Sequence, residues 1–239
     1  MPKADLTKTH DLADLLFVPR DQRDPDWVRR FYAVIGDAGM TTTSDQILQG
    51  PDGFSYFLLN MPAPNRDIQP LSLAHVLDFC LENSLGVVIE PQPEPPERVI
   101  PFGQLWSKKE LGRFDLSLEP DRESETPTEV RSPEVPSHLA GKPAVLVGQP
   151  NQHYFPAFAR SAVRKFLVSQ GYETPGVLLL SNPNQNPLET IIFSVFPEEF
   201  ADQNDFSNFM QHLAWSFPPQ YRLSSISKTS ELAKNFQPL

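Results

Sequence analysis

The sequence predicts an α+β protein made of two small α/β-sandwich domains, and three observations carry that expectation. The first is length. At 239 residues the chain has room for one large domain or two small ones, at roughly 100–200 residues each. The second is a break in composition. From Asp115 to Ser137 the chain holds Pro120, Pro127, Pro133 and Pro136, and seven acids against Arg122 and Arg131. Such a stretch has too little apolar surface to offset the entropy of ordering it. It reads as an acidic, proline-rich linker over 115–140, between an N-terminal domain over 1–114 and a C-terminal domain over 141–239. The third is the alternation, on both sides of that linker, of short apolar strand patterns with amphipathic helix patterns.

In the N-terminal domain, Leu12, Leu15, Leu16 and Val18 start a short helix or strand. A helix is expected over Pro25–Asp37, with Trp27, Phe31, Val34 and Ile35 on one side. Met40–Ser44 is β-prone, and Phe54–Leu59 reads as a strand. Leu71–Leu85 carries Ala74, Leu77, Leu81 and Leu85 at helical spacing. Gly86–Glu90 reads as a strand, followed by a proline-rich run. A short strand over Val99–Phe102 and a last helical segment over Leu105–Leu111 complete the domain, with Trp106 and Leu111 facing inward.

The C-terminal domain is more sharply patterned. Ala144–Gly148 has the form of a short buried strand. Phe155, Phe158, Ala159, Ala162, Val163, Phe166 and Leu167 then make one apolar helical stripe. Pro156 suits the first turn and Gly171 the end of that helix. Val177–Leu180 and Thr190–Phe196 are strands, separated by a turn-rich segment. Phe206, Phe209, Met210, Leu213, Ala214 and Phe217 form a second stripe. Asp205 is the expected N-cap there, and Pro218 and Pro219 stop the helix. Tyr221–Ile226 alternates as a half-buried strand should. The element order is β-α-β-β-α-β, the ferredoxin-like order, with both helices able to lie on one side of a four-stranded sheet. The other sheet face is then left for the first domain, a partner or solvent. No internal repeat stands out at short period.

Composition narrows the function classes. Thirty acids against twenty bases give a net charge of −10 and a pI near 4.9. That disfavours nucleic acid and anionic membrane surfaces as partners. Cys80, the single cysteine, cannot form an internal disulfide, so no disulfide-stapled scaffold is expected. The start lacks the apolar core of a secretory signal, and no uncharged apolar run approaches the ~20 residues of a membrane span. The cytoplasm is the expected compartment.

No phosphate-binding glycine loop, HExxH or cysteine pair occurs. His10, His75, His138, His153 and His212 are scattered without metal-ligand spacing. Cys80 sits on a predicted helix, with His75 roughly 140° around it at ~100° per residue, so the two do not share a face. Glu198, Glu199, Asp202 and Asp205 precede a helix, where acids suit the dipole. They are also a possible face for a basic partner. Gln149, Asn151, Gln152, His153 and Tyr154 offer donors and acceptors ahead of a helix N-terminus. A proline-locked turn that packs its aromatics on the core explains them as well. Trp106, Trp215, Tyr154 and the many phenylalanines read as core. No catalytic, cofactor-binding or metal residue is assigned, and no cofactor is expected.

VLVGQPNQHYFPAFARSAVRKFL, GVLLLS, TIIFSVF and the closing helix together resemble the C-terminal domain of the SseB-like (enhanced serine sensitivity) family. There, a strand ending in a Gly-x-Pro loop leads into a helix, a hairpin and a second helix. GVVIEP and the aromatic segment after it are more distantly similar to the N-terminal SseB domain. The chain departs from that pattern in Phe155–Pro156 after His153–Tyr154 and in its acidic linker, which leaves room for a sister family. The resemblance implies a non-enzymatic cytoplasmic protein and supplies no catalytic residue. The function expected is therefore binding or regulation through protein–protein contacts, with an unknown protein partner and a possible homodimer. The alternatives are a small hydrolase or transferase with an interdomain site, and a secretion-linked chaperone.

Overall fold

The computed structural model describes residues 4–42, 46–63, 70–90, 95–114, 146–181 and 189–239. The linker expected over 115–140 lies outside them, as does His138. The protein is a mixed α+β structure with two open sheets. The chain divides into two compact units. One holds the described residues up to Phe114 together with Trp215–Pro218. The other holds the described residues from Leu146 to Ala214 and Pro219–Leu239.

The first unit begins with α1 (Leu6–Phe17), longer than its apolar positions suggest. The extension is a capping effect. The Asp5 carboxylate accepts the N–H groups of Thr7 (2.9 Å) and Lys8 (3.3 Å), so a polar first turn is held helical. Helix α2 (Pro25–Val34) starts in the same way, with Asp24 accepting the Trp27 N–H at 2.8 Å and proline at its first position. Strands β1 (Ile47–Gln49) and β2 (Ser55–Leu59) form an antiparallel hairpin. Helix α3 (Leu73–Asn83) then crosses over to β3 (Gly86–Ile89), which pairs parallel with β2. Strand β4 (Arg98–Ile100) adds antiparallel to β3, and α4 (Phe102–Leu111) follows. The order is β1-β2-β3-β4.

The central pair β2–β3 is buried on both faces, which is why GVVI reads as a continuous apolar run. Phe57 meets Phe79 of α3 edge-on at 5.8 Å. Its neighbour Tyr56 points the other way and meets Trp215 at 5.7 Å. Trp215 also stacks on Phe54 at 3.9 Å, and its carbonyl accepts the Gly103 N–H at 3.0 Å. A Cβ at Gly103 would lie 1.9 Å from the Phe217 carbonyl oxygen, so only glycine admits that approach. Trp106 is buried, whereas Leu111, expected inward, is 48 % exposed at the last turn of α4.

The second unit runs β5 (Leu146–Gly148), α5 (Ala157–Ser169), β6 (Gly176–Ser181), β7 (Glu189–Phe193), α6 (Gln203–Ala214), β8 (Leu223–Ser224) and β9 (Gln237–Pro238). Through β8 this is the expected β-α-β-β-α-β element order. The sheet order, however, is β5-β6-β7-β8, the order of the chain. A ferredoxin-like sheet would interleave its strands. Here β5 lies antiparallel beside β6, so α5 joins antiparallel neighbours, and the one parallel crossover is β7-α6-β8. Helices α5 and α6 share a sheet face, as Phe166 and Phe209 meet at 5.5 Å. Gly171, at φ 96°, takes the left-handed conformation that ends α5. Asp202, not Asp205, caps α6, accepting the N–H groups of Asn204 (2.7 Å) and Asp205 (2.9 Å). The strand expected over Tyr221–Ile226 shrinks to Leu223–Ser224, the two residues in register with β7, with the Arg222 carbonyl accepting the Ile191 N–H beside them at 2.9 Å.

Candidate functional site: sheet edges without charge

The residues singled out for chemistry are not brought together. Cys80 is fully buried, and burial pushes its thiol up to about 12, the reverse of what a nucleophile needs. His75 lies at the start of α3; His10, His153 and His212 are exposed on separate elements. Among the described residues no three His, Cys, Asp or Glu side chains are grouped as metal ligands require.

The acidic cluster is occupied locally. Hydrogen bonds from Ser227 and from backbone N–H groups, with the Lys228 charge, hold the exposed Glu198 carboxyl below its ordinary range. Glu199 pairs with Lys228 Nζ at 3.2 Å, and Asp202 caps its helix. The GQPNQHYFP loop is likewise closed on itself. Asn151 accepts the Tyr154 N–H through its side chain (2.8 Å) and the Phe155 N–H through its carbonyl (2.8 Å). Arg160 donates to the carbonyls of Phe155 (2.9 Å) and Pro150. The Tyr221 hydroxyl donates to the Tyr154 carbonyl at 2.7 Å. Phe155 is fully buried. This is the proline-locked turn, with Phe155 in the core; Tyr154, expected in the core, is half-buried.

What distinguishes the surface is the edges of the two sheets. An edge strand offers unpaired backbone N–H and C=O groups, and natural proteins blunt such edges with charge, proline or cover. Strand β4 is flanked by charge: Glu97 binds Arg23 (2.6 Å) and Arg20 (3.1 Å), and Arg98 donates to the Tyr32 hydroxyl (2.9 Å). Burial alone would raise the Glu97 carboxyl. The hydrogen bonds from Arg23 and Arg20 outweigh it and hold the group below its ordinary range. Strand β8 is two half-buried residues after Arg222. Strand β9 ends in Pro238, which has no N–H to offer.

Among the described residues, strands β1 and β5 carry none of these devices. Both are exposed throughout and uncharged: Ile-Leu-Gln and Leu-Val-Gly. Ile47 and Leu48 are each 50 % exposed, Leu146 67 % and Val147 38 %. Sequence reading missed β1 altogether, and expected β5 to be buried. The missed signal was three successive uncharged residues at each place, too short a run to stand out. No described helix is long and apolar enough to cross a membrane. Comparison with protein-family models, with curated proteins and with solved structures finds no match.

Proposed function

We propose that this protein is a non-enzymatic binding or regulatory module that acts through protein–protein contacts at strands β1 and β5. The observation that carries the reading is the pairing of exposed apolar side chains with an uncharged sheet edge at both places. Such an edge binds an extended segment by adding it as a further strand. Main-chain hydrogen bonds give affinity, and alternate side chains give selectivity. The net charge of −10 supports a protein rather than a nucleic-acid partner. A second copy of the chain is one partner that fits, since antiparallel edges pair with themselves. The resemblance to the SseB-like family and a cytoplasmic setting belong to the same proposal.

The test is quantitative co-purification with wild type, Leu48→Lys and Val147→Lys, each first shown to be folded. The reading expects proteins retained by wild type, or the self-association seen by light scattering, to fall at least about tenfold in one variant, a loss of about 1.4 kcal/mol. Retention and association unchanged in both variants would defeat it.

A further inference from the structure

The start of α3 is held by a side chain whose hydrogen-bonding character changes with pH. His75 Nδ1 lies 3.1 Å from the Ser72 backbone nitrogen and 2.7 Å from Ser72 Oγ. A backbone N–H can only donate. The bond therefore requires the Nδ1 lone pair, and hence a neutral imidazole with its proton on Nε2. Ser72 is 1 % exposed, and among the described residues this ring nitrogen is the acceptor for its N–H. Helix starts commonly place Glu or Gln at this third position, side chains that remain acceptors across the neutral range. Histidine does not.

We propose that His75 makes the entry to α3 a pH-sensitive latch, closed while the imidazole is neutral and released when it takes a second proton. Charging sets a ring N–H against the Ser72 N–H. Ser72 Oγ can turn to accept the new donor, but the buried backbone N–H is then left without a partner, the costly half of the exchange. A cation also opposes the positive end of the helix dipole. The latch is beside the point where Leu71 and Met40 exchange two backbone hydrogen bonds, at 2.6 and 2.7 Å. Release therefore loosens the approach to the parallel crossover.

The charged groups on α3 and on the elements packed against it do not offset this. Asp78 is paired with Lys109 of α4 at 2.6 Å, beside Lys108 and Glu110, and Glu82 lies about two turns on. In the turn after α2, the Gly36 carbonyl takes the Ala74 N–H at 2.9 Å, and Asp37 is paired with Lys8. Strands β2 and β3 carry no charge over Ser55–Leu59 and Gly86–Ile89, and Glu90 beyond them accepts the Met61 N–H.

Native-state amide exchange on the full chain tests the latch, at about pH 7.5 and about pH 5.5, either side of the range in which imidazoles charge. After correction for intrinsic exchange, the amides of Ser72 and His75 lose about fivefold in protection at the lower pH relative to the last turn of α3, the population change expected from loss of a typical cap. His75→Gln, an acceptor at both pH values, removes the step. His75→Ala has low protection at both, and if it fails to fold, His75→Gln decides alone. A step of equal size in His75→Gln, or no step in wild type, overturns the proposal.

Discussion

The segments α2-β1-β2-α3-β3 and α5-β6-β7-α6-β8 follow one plan: a helix, an antiparallel hairpin, a crossover helix and a strand parallel to the second strand of the hairpin. They differ in what is added and where. In the first, β4 adds to the outer side of the last strand, so the first hairpin strand, β1, is left at the edge. In the second, β5 and β9 add to the first hairpin strand, β6. The last strand, β8, is left outermost and only two residues long. The position of the addition decides which strand meets solvent. Among the described residues, charge or proline stands beside β4, β8 and β9, while the strands β1 and β5 are themselves uncharged and exposed. The shared plan therefore leaves different surfaces, and the surfaces are what the proposed function uses.

The sharpest way to break the comparison is at the closure of the first unit. Trp215→Ala removes the ring stacked on Phe54 and is expected to cost about 3 kcal/mol or more, read by thermal unfolding and by exchange of the β2–β3 amides. In the second unit, Ile192→Ala leaves a cavity under a buried strand and costs about 2–4 kcal/mol, with the loss concentrated in the β6 and β7 amides. Equal loss of protection across both units from either change would contradict the division into two.

The β4 charges sharpen the contrast between edges. The folded state holds the Glu97 carboxyl below its unfolded value, so this stabilisation is complete above the unfolded range and is lost as pH falls through the folded one. Wild type should therefore lose about 1 kcal/mol more than Glu97→Gln on acidification from about pH 6 to about pH 3. Denaturant midpoints at the two pH values measure it. Parallel pH curves would remove the ion pairs from the account. The smallest effect belongs to the bare edge. Ile47→Lys should change stability by less than about 0.5 kcal/mol, because half of that side chain is already in water.

The helices were legible because their stripes and stops are local. Phe155 to Leu167 names its own period and Gly171 the end of α5, whereas α6 ends at Ala214, before the Phe217 and Pro218 expected to close it. Strand pairing was not legible. Nothing in Ala144–Gly148 shows that β5 lies beside β6, a choice made by register between distant segments. The shared plan of the two units was hidden for the same reason, since GVVI of β3 and Leu223–Ser224 of β8 occupy equivalent places with unlike residues. The reach of Trp215–Pro218 into the first unit was equally hidden, because an aromatic at the end of a helix looks the same whichever core receives it. For the candidate site, Cys80, the histidines and the GQPNQHYFP loop were visible as types. Their burial and their partners emerged only from packing.

The most direct measurement is photo-crosslinking in cells from a benzophenone side chain placed singly at positions 48 and 147, on the bare edges, and at 99 and 224, on β4 and β8. The account predicts covalent protein adducts from 48 or 147 at least about tenfold above those from 99 and 224, the ratio that about 1.4 kcal/mol of preference produces. Equal yields at all four positions, or a preference for 99 and 224, would contradict it.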